Sequence, residues 1–267
     1  MGAKHFRIDD PDSFDLDKFD PDDTSGGPSS KDEARAAAEE MHERLAELQE
    51  LLFAGHAHKL LVVLQGMDTS GKDGTVRHVM HGVSPANVRV ISFKKPSSTE
   101  IDHDYLWRVH PHVPGNGDIV IFNRSHYEDV LIVRVHDLVP AEVWKQRYAQ
   151  INEFERMLSE NGVTILKFFL HISRKEQRER LQARLDDPTK RWKFQHGDLE
   201  ERELWDEYKK AYEDAVRKTS THWAPWYVIP ANRKWFRDYV VADILIKTLE
   251  KFDMKWPQPD LSGEHID

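Results

Sequence analysis

The chain has no cysteine among its 267 residues. Disulfides and thiolate-bound metal centres are therefore excluded, and a reducing compartment suits it. It also has no apolar run near the roughly 20 residues that a membrane-spanning helix requires, and its N-terminus lacks the apolar stretch of a secretory signal. A cytoplasmic protein without a membrane partner is the expectation. An excess of positive charge is missing too: the formal net charge is −9. That balance argues against non-specific attachment to nucleic acid. No serine, histidine and aspartate are arranged as a nucleophile set, which fits catalysis without a covalent protein intermediate. The length suffices for one large α/β domain or two small ones.

The charge that is present is unevenly distributed. Residues 1–30 hold eight aspartates against Lys4, Arg7 and Lys18, and end in Thr24-Ser-Gly-Gly-Pro-Ser-Ser. This composition predicts a flexible, acidic N-terminal arm over 1–30. Residues 171–197 reverse the sign, with eight cations against four carboxylates. A run of this kind can be a solvated helix face or a surface for a polyanion.

Between these lies the pattern of an α/β domain. Ser30 can cap a helix over 31–55, where Ala36, Met41, Leu45, Leu48, Leu51 and Leu52 recur at helical spacing. Apolar runs of strand length follow at 60–64, 88–93, 119–122, 163–172 and 226–229, separated by helical patterns. The last of these patterns carries a stripe of Val240, Val241, Ile244, Leu245, Leu249 and Phe252. Strands alternating with helices predict a parallel sheet covered on both faces, because each parallel crossover needs a helix. Burial on both sides explains why the strands are continuously apolar. This α/β domain is expected over 31–256, with a C-terminal tail over 257–267.

After the first strand comes Gly66-Met67-Asp68-Thr69-Ser70-Gly71-Lys72-Asp73-Gly74. Two glycines five apart followed by lysine have the spacing of a phosphate-binding loop, which aims backbone N–H groups and a helix N-terminus at phosphate oxygens. Asp73 stands where a serine or threonine usually reaches magnesium. Asp68 places a carboxylate inside the loop, which makes sense if a divalent cation lies between it and the substrate. The third strand ends Asn123-Arg124-Ser125-His126-Tyr127-Glu128-Asp129. There Asn123 is a candidate second metal ligand, with Glu128 or Asp129 able to assist. Arg124 offers a planar fork for phosphate, unless Glu128 or Asp129 takes it as an ion-pair partner. At the end of the second strand Phe93 could stack on a base, and Lys94 or Arg108 could reach its phosphates. His103, His110 and His112 lack the spacing of a zinc site.

The basic segment predicts a helix from about 174, stopped by Asp187-Pro188, then a second cationic cluster. Arg180, Arg184, Lys190, Arg191 and Lys193 would form a helical lid over about 174–197. Phosphoryl transfer relies on positioning and cations around a charge-spread transition state, which such a lid supplies.

Gly66-Met-Asp68-x-x-Gly71-Lys72-Asp73-Gly74, Asn123-Arg124-Ser125-x-Tyr127, Asp187-Pro188-x-Lys190-Arg191-Trp192-Lys193, Trp205-Asp206-x-Tyr208 and Pro225-Trp226 through Asn232-x-Lys234 together resemble the type 2 polyphosphate kinase family, over roughly residues 30–255. The resemblance implies a three-layer, thymidylate-kinase-like P-loop fold with a five-stranded parallel sheet. It implies reversible, Mg²⁺-dependent transfer between inorganic polyphosphate and AMP, ADP or ATP, with Mn²⁺ as a possible substitute, in a homodimer or homotetramer. Asp68, Lys72 and Arg124 would then be catalytic, Asp68 and Asn123 metal-holding, and Phe93, Lys94, Arg108 and Glu128 nucleotide-binding. Much of the family has Asp in place of Asn123 and Asn in place of Glu128. The version here resembles the subgroup that accepts both AMP and ADP. An ATP-dependent nucleotide or small-molecule kinase, or a non-catalytic phosphate-binding protein, remains the alternative.

Overall fold

A computed structural model describes residues 3–195 and 197–262. The five strands are β1 (Lys59–Gln65), β2 (Val88–Ser92), β3 (Ile119–Asn123), β4 (Val163–His171) and β5 (Trp226–Pro230). All pair in parallel, in the order β2-β3-β1-β4-β5. Among the described residues the α-helices are α1 (Lys31–Gly55), α2 (Lys72–Val79), α3 (Ser98–Ile101), α4 (Ile132–Val135), α5 (Ala141–Glu160), α6 (Arg174–Asp186), α7 (Gly197–Glu203), α8 (Trp205–Thr219) and α9 (Lys234–Glu250). None is long and apolar enough to cross a membrane.

The three-layer α/β arrangement follows from where the apolar groups fall. β1 and β4 are buried almost throughout, as strands in the middle of a parallel sheet must be. α1 and α2 pack on α9, while α5 packs on α8 and β4. Ser30 caps α1, its hydroxyl accepting from Glu33 N at 3.2 Å. β1 hands the chain to α2 through the loop 66–71. Its paired neighbours β3 and β4 end alongside, with Leu64 opposite Asn123 and Gln65 opposite Phe169. The loop, the Asn123 corner and the start of α6 thus share the carboxyl edge of the sheet, where ligands of such folds bind.

The expectation of a flexible arm is overturned. Phe6, Ile8, Phe14 and Leu16 are buried in the main core. Ile8 N donates to Trp226 O at 2.9 Å, and Arg7 makes an antiparallel bridge to Tyr227. The arm covers the open edge of β5, whose unpaired backbone groups would otherwise template association. Ser220 Oγ donates to Ile8 O, Lys209 pairs with Asp17, and Asn232 Nδ2 donates to Asp22. Removing residues 1–25 would therefore strip core side chains. Leu16→Ala alone should cost about 2–5 kcal/mol, and denaturant unfolding of the full chain checks this; an unchanged midpoint would return the arm to the surface. Of the expected tail, residues 263–267 lie outside the described residues.

Candidate active site

The loop owes its shape to two glycines and to anchors behind it. Gly66 (φ 154°) and Gly71 (φ 103°) adopt conformations that disfavour a side chain. A Cβ on Gly66 would lie 2.8 Å from Leu170 O, and one on Gly71 would overlap the Arg237 guanidinium. The loop carbonyls are taken up from outside: Gln177 Nε2 donates to Asp68 O at 3.2 Å, Arg180 Nη1 to Thr69 O and Ser70 O at 2.9 Å, and Arg237 Nη1 to Ser70 O at 3.1 Å. In a trans peptide the next N–H points the opposite way. Ser70 N donates to Met67 O at 3.0 Å, which leaves the N–H groups of Thr69 and Gly71, each following a carbonyl held from outside, as the candidate phosphate donors beside the N-terminus of α2.

Lys72 begins α2 and is buried, its Nζ donating to Gly66 O at 2.7 Å. Burial, reinforced by the Arg124 charge, lowers its pKa to about 8 against the attraction of Asp68, Glu128 and Asp73. The unfolded chain therefore holds the extra proton between about pH 8 and the ordinary 10.5, and this group makes stability rise with pH through that window. A phosphate beside Lys72 would draw its pKa back up. Triphosphate binding near pH 9 should take up a proton, seen as a buffer-dependent binding enthalpy. Equal enthalpies in buffers of different ionisation heat would contradict this.

Opposite the loop, Arg124 sits at the end of β3 with a left-handed backbone (φ 63°), a conformation that costs a non-glycine residue about 1–3 kcal/mol. Its Nη2 meets Asp68 Oδ1 at 3.0 Å. Asp129 pairs with Arg147 at 3.0 Å rather than with Arg124, and it does not line the cleft. Asn123 Nδ2 donates to Asp73 Oδ1 at 2.5 Å. The amide is thus an anchor for the first turn of α2, and of its atoms only Oδ1 remains to face a cation. Glu128 is half-buried, and burial pushes its carboxyl up, opposed by Arg124 and Lys72.

These groups line one cleft of about 790 Å³, together with Phe93, Lys94, Arg184, Lys190 and Lys193. Three expected residues are placed elsewhere. Arg180 has no donor left for substrate: besides Thr69 and Ser70 it serves Ala231 O at 2.5 Å, Asn232 O at 3.0 Å and Glu176 at 2.6 Å. Arg191 Nε donates to Leu185 O and lies outside the cleft lining. Arg108 covers the Phe93 ring at 5.3 Å and donates to Lys94 O at 2.8 Å, so it backs the Phe93 wall of the cleft. Phe93 itself is buried edge-on to Phe122. His103 stacks on Trp107, away from the cleft.

The sequence profile of the family Polyphosphate kinase 2 (PPK2) matches residues 28–257. The chain belongs to this family. The AMP/ADP-polyphosphate phosphotransferase of Meiothermus ruber is 58% identical over 98% of both chains. The ADP-polyphosphate phosphotransferase of Rhodopseudomonas palustris is 42% identical over 96% of this chain and 92% of its own. The crystal structure of Polyphosphate Kinase 2 from Arthrobacter aurescens TC1 superposes with a TM-score of 0.94 at 44% identity, covering 97% and 93% of the two chains.

Within this PPK2 site several participants escaped sequence reasoning. Gln177, Asp198, Glu201 and Tyr212 line the cleft. Tyr212 packs tilted against Phe169, ring centroids 4.6 Å apart, and its hydroxyl lies against the Gly66 backbone. Gln177, Asp198 and Glu201 lie on helices that are polar on nearly every side, so no local pattern marks them. Beneath the Asn123 corner, Lys167 and Glu155 form a fully buried pair at 2.6 Å, joined by Tyr127 and Thr219. That network holds the turn that carries Arg124 and Glu128.

The carboxylates Asp68, Asp73 and Glu128 are hard oxygen donors, the type a divalent cation of the magnesium class takes. No preformed cluster of three metal-ligating side chains exists among the described residues. Phosphate oxygens and water would therefore complete the shell, as they commonly do for this cation.

Proposed function

We propose that this PPK2 protein moves the terminal phosphoryl group of inorganic polyphosphate onto AMP and ADP, reversibly. A phosphate loop facing a positively charged strand end, beneath lid cations and within one cleft, carries this reading. In the step, the bond between the terminal phosphorus and its bridging oxygen breaks. A new bond forms to an oxygen of the nucleotide's last phosphate, and polyphosphate is one unit shorter. The loop N–H groups, Lys72 and Arg124 neutralise and orient the transferring group, and Arg184, Lys190 and Lys193 hold the donor chain. Asn123 and Glu128 are the residues we assign to acceptance of AMP as well as ADP.

A divalent cation accords with kinase membership, and Mg²⁺ bound by Asp68 is the specific assignment. Held there, it would offset the charge that develops on the phosphate oxygens during transfer. Asp68→Asn should raise the Mg²⁺ concentration for half-maximal rate and lower the rate together; an unchanged metal titration would remove Asp68 from the metal site. We also infer a cytoplasmic homodimer or homotetramer, which light scattering on the purified chain tests.

The deciding assay combines protein, Mg²⁺ and long-chain polyphosphate with AMP or ADP and no ATP. ADP from AMP and ATP from ADP is the expected result. ATP from ADP alone would withdraw the dual acceptor. Turnover only with ATP as donor would replace the donor assignment.

A further inference from the structure

Gln177 lies in the first turn of α6, 4% exposed, and uses both ends of its side chain. Its Nε2 donates to Asp68 O at 3.2 Å, and its Oε1 accepts from Arg202 Nη1 at 2.8 Å. A carbonyl only accepts and a guanidinium only donates, so the amide orientation is fixed. Arg202 belongs to α7, directly after the basic lid segment, and also donates to Arg174 O at 2.8 Å. α7 is also attached through Asp198 to Arg184 at 3.7 Å, and through Glu201 to Tyr208 at 2.6 Å and to His136 at 2.9 Å. The Arg202–Gln177 link leads straight to the phosphate loop.

We infer that Gln177 is a positioning residue that ties the placement of α7 to the Asp68 end of the phosphate loop, so that lid and loop settle together. This rests on the polyphosphate-kinase reading above. The residue type suits the task. A glutamate would set a carboxylate against the Asp68 carbonyl, and an apolar side chain of equal length would leave that carbonyl and Arg202 without their shared partner. Arg202 meets a neutral acceptor rather than a carboxylate, a weaker bond that lets α7 leave and return. Asp68 in turn holds Arg124 at 3.0 Å, so a shift of its backbone moves both groups on which the transfer depends.

The informative variant is Arg202→Ala, which does not touch the loop; Gln177→Leu and the double variant complete the cycle. If the link acts as proposed, each single variant lowers kcat about 10- to 100-fold, the range for losing a supporting partner of a metal-holding group. The Mg²⁺ midpoint should rise and the KM for AMP should hold. The double variant should be no worse than the poorer single, because the two residues act as one unit. Losses that multiply, or a lower melting temperature with kcat unchanged, would overturn the proposal. Hydrogen exchange of residues 66–74 in the unliganded full chain gives a reading independent of turnover. Arg202→Ala should speed exchange there, and exchange at the wild-type rate would likewise overturn it. If the wild-type protein fails to use polyphosphate, the functional reading falls while the exchange experiment still decides the link.

Discussion

Replacing Lys72 with alanine should lower polyphosphate-driven turnover about 10²- to 10³-fold, the usual cost of removing a preorganised group that meets developing charge. Lys72 is buried and surrounded by Arg124, Asp68, Glu128 and Asp73, and its pKa is held at about 8. The charged lysine is therefore costly in the unliganded cleft, offset only in part by its carboxylate neighbours, and a bound phosphate offsets the rest. Removing it should leave the melting temperature equal or higher, since the Gly66 carbonyl loses one donor but a desolvated charge also goes. Activity and stability thus move in opposite directions, which separates a catalytic role from a structural one. Steady-state kinetics and a thermal melt on the same preparation check both. A near-normal rate would remove Lys72 from the transfer step, and a collapse in melting temperature would make it a structural residue.

The fold was legible because its strands are buried on both faces. Continuous apolar runs such as Leu60–Leu64 have few alternatives once helical stripes separate them. The phosphate loop was legible because its glycines stand where the backbone turns left-handed or meets other atoms, a demand that few side chains satisfy. The arm was misread for a compositional reason. Eight aspartates masked the signal of Phe6 and Ile8 at period two, which is how a segment laid along a strand edge presents itself. Asn123 is a candidate ligand from its place at a strand end, and its Oδ1 is left for that role. The amide nitrogen, however, is spent on an anchor the sequence does not announce. Its partner Asp73 is fifty residues away, and no local pattern encodes that meeting.

The lid cations show the same limit at finer scale, and they carry the second large expected effect. Arg180 and Arg184 lie one helical turn apart on α6, yet one is buried and the other lines the cleft. What decides is the face set by Gln177, Arg180 and Leu181, which packs behind the phosphate loop. Arg180→Leu would strip donors from Thr69, Ser70, Ala231 and Asn232 and leave Glu176 without its 2.6 Å partner. Breaking a buried, hydrogen-bonded charge costs about 3–5 kcal/mol, which for a chain of this size corresponds to a fall of roughly 6–20 °C in melting temperature. Rate should fall with it, because the loop carbonyls lose the anchor that turns their N–H neighbours inward. Arg184→Ala should do the reverse, raising the KM for polyphosphate with little change in melting temperature. Were Arg180→Leu to melt like the wild type and weaken only polyphosphate, Arg180 would return to the lid. The contrast between two arginines four residues apart therefore tests the buried anchor and the cationic lid together.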